Sequence, residues 1–206
     1  GVNARAEDWV RHNNRSYPAG VWKAVYDGSS GVASETVSPK LTENDYDSLR
    51  QVCQTLKTAG ATINSGCGGH IHIDATDLTK NDICRLLGLW YASEHSIFGL
   101  VAQSRRENGY CQRMMTQLDA EGRSPSEVAR KLRRFGSVSA IYQHIAKDND
   151  YGETVRFKAM NLDAYLNHNA IEFRLHQGSL NASKLLHFAR LLSAMVDYAK
   201  SDLPLP

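Results

Sequence analysis

No run in the 206 residues comes near the roughly 20 consecutive apolar residues that a bilayer-spanning helix needs, so the sequence predicts a soluble protein. Cysteine is sparse. The four, at positions 53, 67, 84 and 111, include no Cys-x-x-Cys pair, which argues against a zinc ribbon and against the disulfide framework of a small secreted protein. Reduced structural thiols in a cytoplasmic protein are the expectation. Charge of one sign is scarce too: 24 Lys and Arg against 22 Asp and Glu leave a net +2, too little to point to nucleic acid or another polyanion. Locally, however, Arg105 with Arg106, and the segment Arg130, Lys131, Arg133, Arg134, concentrate positive charge. Internal repeats, low-complexity tracts and linkers are missing, which excludes solenoids and predicts one domain over residues 1–206. A signal peptide is missing and the first residue is Gly, so a processed or truncated start is expected.

What is present reads as an α+β chain. Residues 21–41 hold two extended runs around "DGSSG", a hairpin signal. From Thr42 a cap, early acids and apolar residues at Tyr46, Leu49, Val52, Cys53 and Leu56 predict a helix ending at Gly60. The stretch "GCGGHIHIDA" alternates as a strand, with His70 and His72 on one face and Ile71 and Ile73 on the other. A long helix is predicted over 80–106. Another begins at Pro125, where Ser124 and Glu127 form a capping-box signature, and "SVSAIYQHIAKD" follows as a short helix. Strand signals return in "ETVRFKAMNL" and "NAIEFRLHQGSL", and a helix from Asn181 closes the chain.

Three places could carry chemistry. His-x-His on a strand can present two nitrogens to one metal, and Gly66, Gly68 and Gly69 beside it let a ligand approach the backbone. Two hydrogen-bonded histidines on an ordinary strand are the alternative. In "AIEFRLHQGSL", Glu172 and Arg174 share the face opposite Ile171, Phe173 and Leu175: either a wet strand face, or an oxygen donor beside a fork for carboxylate or phosphate. Glu35, alternating with Val37, is either an exposed strand carboxylate or a third donor.

Five blocks in order, "WKAVYDGS", "SETVSPKL", "CGGHIHID", "SRRENGYC" and "IEFRLHQGSL", make the chain resemble, over about residues 22–199, the amidoligase family, a branch of the glutamine synthetase-like carboxylate-amine ligases. The resemblance implies a curved, mostly antiparallel glutamine synthetase-like catalytic sheet with helices packed on one side. It also implies ATP and Mg2+ or Mn2+ as cofactors, an acyl-phosphate route to an amide, small-molecule or peptide carboxylate and amine substrates, and a phage or bacterial setting. Carried onto this chain, Glu35, His70 and Glu172 become metal ligands. His72, with Gly68 and Gly69, lies by the ATP phosphates, Arg174 clamps the substrate carboxylate or acyl phosphate, and Arg105 and Arg106 contact phosphate or substrate. Free amine then displaces phosphate. His70 and Glu172 are expected to share one ion, with Glu35 on the same cleft, and Cys67 is expected to be structural despite neighbouring His70 in sequence.

One departure stands out. The family's opening "Phe-Gly-x-Glu-x-Glu" strand has no counterpart before Trp22, where the only acids are Glu7 and Asp8 in "ARAEDWV". The strand is therefore expected either upstream of Gly1 or not at all, which removes part of the oxygen-donor set. Two rivals follow: a binding member of the same fold without chemistry, and, below it, a metal-dependent hydrolase.

Overall fold

The structure, a computed structural model, describes residues 4–10, 20–26, 34–114, 122–146 and 157–206. The chain divides into two compact units, one of Gly1–Cys67 with Gly178–His187 and one of Gly68–Gln177 with Phe188–Pro206. The described strands form two three-stranded sheets, one per unit.

In the first unit the order is β1 (Ala4–Val10), β2 (Trp22–Val25), β3 (Glu35–Val37). β2 and β3 pair antiparallel with Val25 opposite Glu35, so the hairpin read from the sequence is there; its turn lies outside the described residues. β1 is a strand that the sequence did not announce. It lies parallel to β2 with Ala4 opposite Trp22, and a register irregularity separates Arg5 from Val10. Its alanines and acids have little intrinsic strand preference, and pairing along an edge supplies the order instead. Thr42 then starts a short 3₁₀ turn, its amide and hydroxyl both donating to Asp45 Oδ2 at 2.8 and 2.7 Å, and α1 (Tyr46–Thr58) follows. The helix ends two residues before Gly60, whose φ of +81° suits a residue with no Cβ.

The second unit is built on β4 (Gly68–Asp74), β6 (Ala170–Gln177) and the two-residue β5 (Met160–Asn161), in the antiparallel order β4-β6-β5. Its helices are α2 (Lys80–Gly99), α3 (Gln103–Arg106), α4 (Pro125–Leu132), α5 (Val138–Ala146) and α6 (Asp163–His168); α7 (Ala182–Lys200) starts in the first unit and ends in the second. The apolar face of β6, Ile171, Phe173 and Leu175, is fully buried together with Ile83, Leu86, Leu87 and Trp90 of α2. Trp90 meets Phe173 with ring centroids 5.4 Å apart. Its indole N–H donates to Glu94 Oε1 at 2.8 Å, so the polar tip of a buried aromatic has its partner.

Two sequence expectations change here. The helix predicted over 80–106 is two helices. α2 stops at Gly99, and the Arg106 guanidinium donates to the carbonyls of Gly99 and Val101, each at 3.1 Å, satisfying acceptors that the break sets free. Strict alternation in β6 also fails at its end: Gly69 faces His176 but Ile71 faces Phe173, so β6 carries one extra residue there. The bulge buries both Leu175 and His176, and the His176 ring meets Phe188 at a tilt with centroids 4.8 Å apart.

α4 starts as its sequence says, on a Ser124 and Glu127 capping box with Pro125 in the first turn. It packs on α2 at Gly88, where a Cβ would collide with the Pro125 carbonyl oxygen, while one on Gly99 would meet nothing within 4 Å. Gly88→Ala is therefore expected to cost about 1–3 kcal/mol in urea unfolding through overpacking. Gly99→Ala should leave stability unchanged or raise it.

Candidate functional site

The pairing of β4 with β6 brings the sequence-predicted residues together. His70 and His72 share one face of β4, and His72 lies opposite Glu172 in the register. On β6 the same alternation that buries Ile171 and Phe173 turns Glu172 to the other face, where it is still only 6% exposed. His70 Nδ1 is 3.2 Å and His72 Nε2 3.7 Å from Glu172 Oε1. Arg174, two residues along, places Nη1 at 2.6 Å from that same oxygen.

Asn161, absent from the residues singled out by motif, completes the row. It stands opposite Glu172 on β5, is 3% exposed, and donates Nδ2 to Glu172 Oε2 at 2.7 Å. Its Oδ1 accepts the Asp163 backbone N–H at 2.8 Å, which fixes the amide orientation. Asn161, Glu172 and His72 thus occupy one line across three strands. No motif marks Asn161; only its register does.

Arg105 arrives from α3. It is 3% exposed and donates Nη2 to the Arg174 carbonyl at 2.8 Å, and its Nε is buried with no hydrogen-bond partner. The guanidinium lies over Gly68, where an added Cβ would stand 3.2 Å from Nη2. Gly68 therefore makes room for a charge. Arg174 also donates Nε to the Tyr110 carbonyl at 3.2 Å, and its guanidinium carbon sits 5.8 Å from the centre of the Phe157 ring.

The remaining predicted site residues have their own surroundings. Arg106 is engaged with the end of α2. Gly69 lies against the backbone of Gln177, where a Cβ would come to 3.2 Å of its carbonyl oxygen. Glu35 belongs to the first unit, at the start of β3. Cys67 is a free thiol 3.5 Å from Asn64 Oδ1, and Cys53, Cys84 and Cys111 are free and buried.

The electrostatics of the cluster follow from burial and two arginines. Desolvation, then the positive charges of Arg174, His72 and Arg105, push His70 down to about 4, against the upward pull of Glu172. Burial works to raise Glu172, but Arg174, His70 and the Asn161 hydrogen bond outweigh it and hold the carboxyl below its usual range. Around neutral pH, His70 is an uncharged imidazole beside an ionised carboxylate. With Arg174 and Arg105 that leaves two guanidinium groups against one carboxylate in the cluster.

The donor set does not by itself fit the magnesium or manganese centre that the resemblance implies. Both oxygens of Glu172 are engaged, by Arg174 and Asn161, and a hard cation asks for about six oxygens. Among the described residues no group of three or more His, Cys, Asp or Glu could hold a metal ion.

With that geometry in place, the kinship of the chain can be stated. The sequence matches the family described as "putative amidoligase enzyme" over residues 5–196, and the chain belongs to that family. Membership supports a ligase-type function. No curated protein and no solved structure matches the chain. Among the described residues no helix is long and apolar enough to cross a membrane.

The lowered His70 has a direct test in an NMR titration of the histidine ring protons. A midpoint near 4, against the ordinary 6.5, is expected, and it should rise in Arg174→Gln. Because the folded value lies below the unfolded one, the linked stability is fully present above about pH 6.5 and is lost as pH falls toward 4. A midpoint near 6.5 would mean that His70 is neither desolvated nor under the influence of Arg174.

Proposed function

We propose that the chain is an ATP-dependent carboxylate-amine ligase, working in the cytoplasm as one amidoligase-like domain with a glutamine synthetase-like catalytic sheet. The γ-phosphoryl group of ATP passes to an oxygen of the substrate carboxylate, releasing ADP. The amine nitrogen then attacks the acyl carbon, the bond to phosphate breaks, and amide, phosphate and a proton leave. A carboxylate alone is a poor electrophile, and moving a phosphoryl group between anions requires fixed positive charge around it.

The observation that carries this reading is the excess of guanidinium over carboxylate on the β4 and β6 face, with a buried Arg105 Nε that lacks an acceptor. Arg105 and Arg174 are proposed to hold the substrate carboxylate and the transferring phosphoryl oxygens. Glu172 and Asn161 fix Arg174 in place. Neutral His70 can hydrogen-bond a phosphate or carboxylate without carrying a charge of its own. Mg2+ or Mn2+ belongs to the proposal as the charge-neutralising partner of ATP. The metal roles of His70, Glu172 and Glu35, and the place of Gly69 by ATP, rest on the family resemblance alone, and Glu172 would have to give up Arg174 or Asn161 to bind a metal ion.

A second reading has its own observation. Glu172 already has Arg174 and Asn161 on its two oxygens, which suits a binding protein that recognises an anion without turning it over. Mass spectrometry after incubation with ATP, Mg2+ and a panel of amino acids, polyamines and peptides separates the two. The ligase produces ADP and an amide in equal amounts, and Arg105→Lys, which keeps charge but loses Nε, lowers turnover per folded molecule about 10²–10³-fold. AMP in place of ADP would exclude an acyl phosphate. Nucleotide left intact with every substrate pair would favour the binding protein.

A further inference from the structure

We infer that Tyr110 is the ring-holding half of the site whose charged half is Arg105 and Arg174, and that the ligand is an anion joined to a flat ring, a nucleotide or an aromatic carboxylate. The inference rests on the proposed anion-holding role of the two arginines and adds what lies at the other end of the ligand.

Tyr110 stands in the stretch "SRRENGYC", just before Cys111. Its carbonyl accepts Arg174 Nε at 3.2 Å, so its backbone is joined to the charged cluster. The residue is nevertheless 50% exposed. Its amide donates to Asn108 Oδ1 at 2.9 Å in the 3₁₀ turn Gly109–Cys111. The buried Cys111 thiol donates to the Arg105 carbonyl at 3.2 Å and closes the loop that starts there. An aromatic side chain on so fixed a backbone has little entropy to lose when another ring stacks on it.

The neighbouring ring defines the geometry further. Tyr110 and Phe157 meet with centroids 5.2 Å apart and planes at 89°. In such a pair one ring supplies its edge and the other its face, so Phe157 covers at most one face of Tyr110. Arg174 Cζ sits 5.8 Å from the centre of the same Phe157 ring. The guanidinium carbon and the centre of the Tyr110 ring are therefore at most about 11 Å apart, the two distances laid end to end. That span is within reach of a small molecule with its charge at one end and its ring at the other.

A lone exposed tyrosine would carry no weight, since scattered apolar side chains are normal on a surface. This one borders a cluster in which Arg105 and Arg174 accompany one carboxylate, and the buried Arg105 Nε has no hydrogen-bond partner. A few placed charges beside an aromatic surface select a ligand with both characters. In a carboxylate-amine ligase the nucleotide and the carboxylate substrate are the two anionic reactants, and either can carry the ring.

Isothermal titration of the whole protein at low salt with two matched pairs tests this: ATP against inorganic triphosphate, and phenylpropionate against hexanoate. The member with the ring should bind about tenfold more tightly than its ringless partner in at least one pair, the scale of one aromatic stack. A preference in the first pair assigns the ring to the nucleotide; a preference in the second assigns it to the carboxylate substrate. Tyr110→Ala should abolish the preference by weakening only the ring-bearing probe, and Tyr110→Phe should keep it, a pattern that loss of the hydroxyl or of the fold would not produce. Circular dichroism checks that the alanine variant is folded; Tyr110→Leu, which keeps apolar bulk without a ring, replaces it if not, with the same loss expected. Equal binding within both pairs, or a preference that survives Tyr110→Ala, overturns the inference and leaves the reading of the two arginines standing. If none of the four probes binds, the arginines hold no anion, and the ligase reading and this inference fall together.

Discussion

Glu172 puts a carboxylate where 6% of the residue reaches solvent, and an isolated charge in such a place would cost several kcal/mol or give itself up by protonation. The second unit is arranged around keeping it ionised. Arg174 from the same strand, Asn161 from one neighbour and His70 from the other converge on its two oxygens. The register of the sheet is what permits this. A slip of one residue would trade Glu172 for Phe173 and drive the charge into the apolar layer beside Trp90.

The rest of the cluster takes its character from that ion pair. Arg174 is not a freely swinging side chain: Nη1 is on Glu172 and Nε on the Tyr110 carbonyl. The guanidinium is therefore preoriented, with little rotamer entropy left to lose. The same positive charge, added to burial, keeps His70 neutral. Arg105, packed over Gly68 and bonded to the backbone of Arg174, adds a second cation without a second carboxylate. A cluster with those proportions carries an excess of positive charge, which favours anionic groups over cationic ones.

Much of this was readable because strands print their geometry at period two. Ile171, Phe173 and Leu175 alternate with Glu172 and Arg174, and Ile71 and Ile73 with His70 and His72, so the sequence told which side chains share a face. Which strands adjoin was not written locally. Asn161 carries no motif and sits in a two-residue strand, and it matters because pairing puts it opposite Glu172. Arg105 and Arg106 are adjacent and alike, and only the break after Gly99 sends one to β6 and the other to the end of α2. The glycines before His70 suggested a ligand near the backbone, yet Gly68 is explained by the guanidinium lying over it. β1 escaped because edge pairing, rather than its own residues, makes it a strand. Glu35 was readable as a strand carboxylate on the hairpin, but its metal role rests on family resemblance.

The dependence of the site on the Glu172 and Arg174 pair is tested most directly by a double-mutant cycle read in urea unfolding. Arg174→Met alone strands a buried carboxylate and is predicted to cost about 3–5 kcal/mol. Adding Glu172→Gln removes the stranded charge, so the double variant should recover most of that loss. Strict additivity of the two substitutions, or a cost of less than about 1 kcal/mol for Arg174→Met, would show that the pair does not organise this face, and the account would lose its foundation.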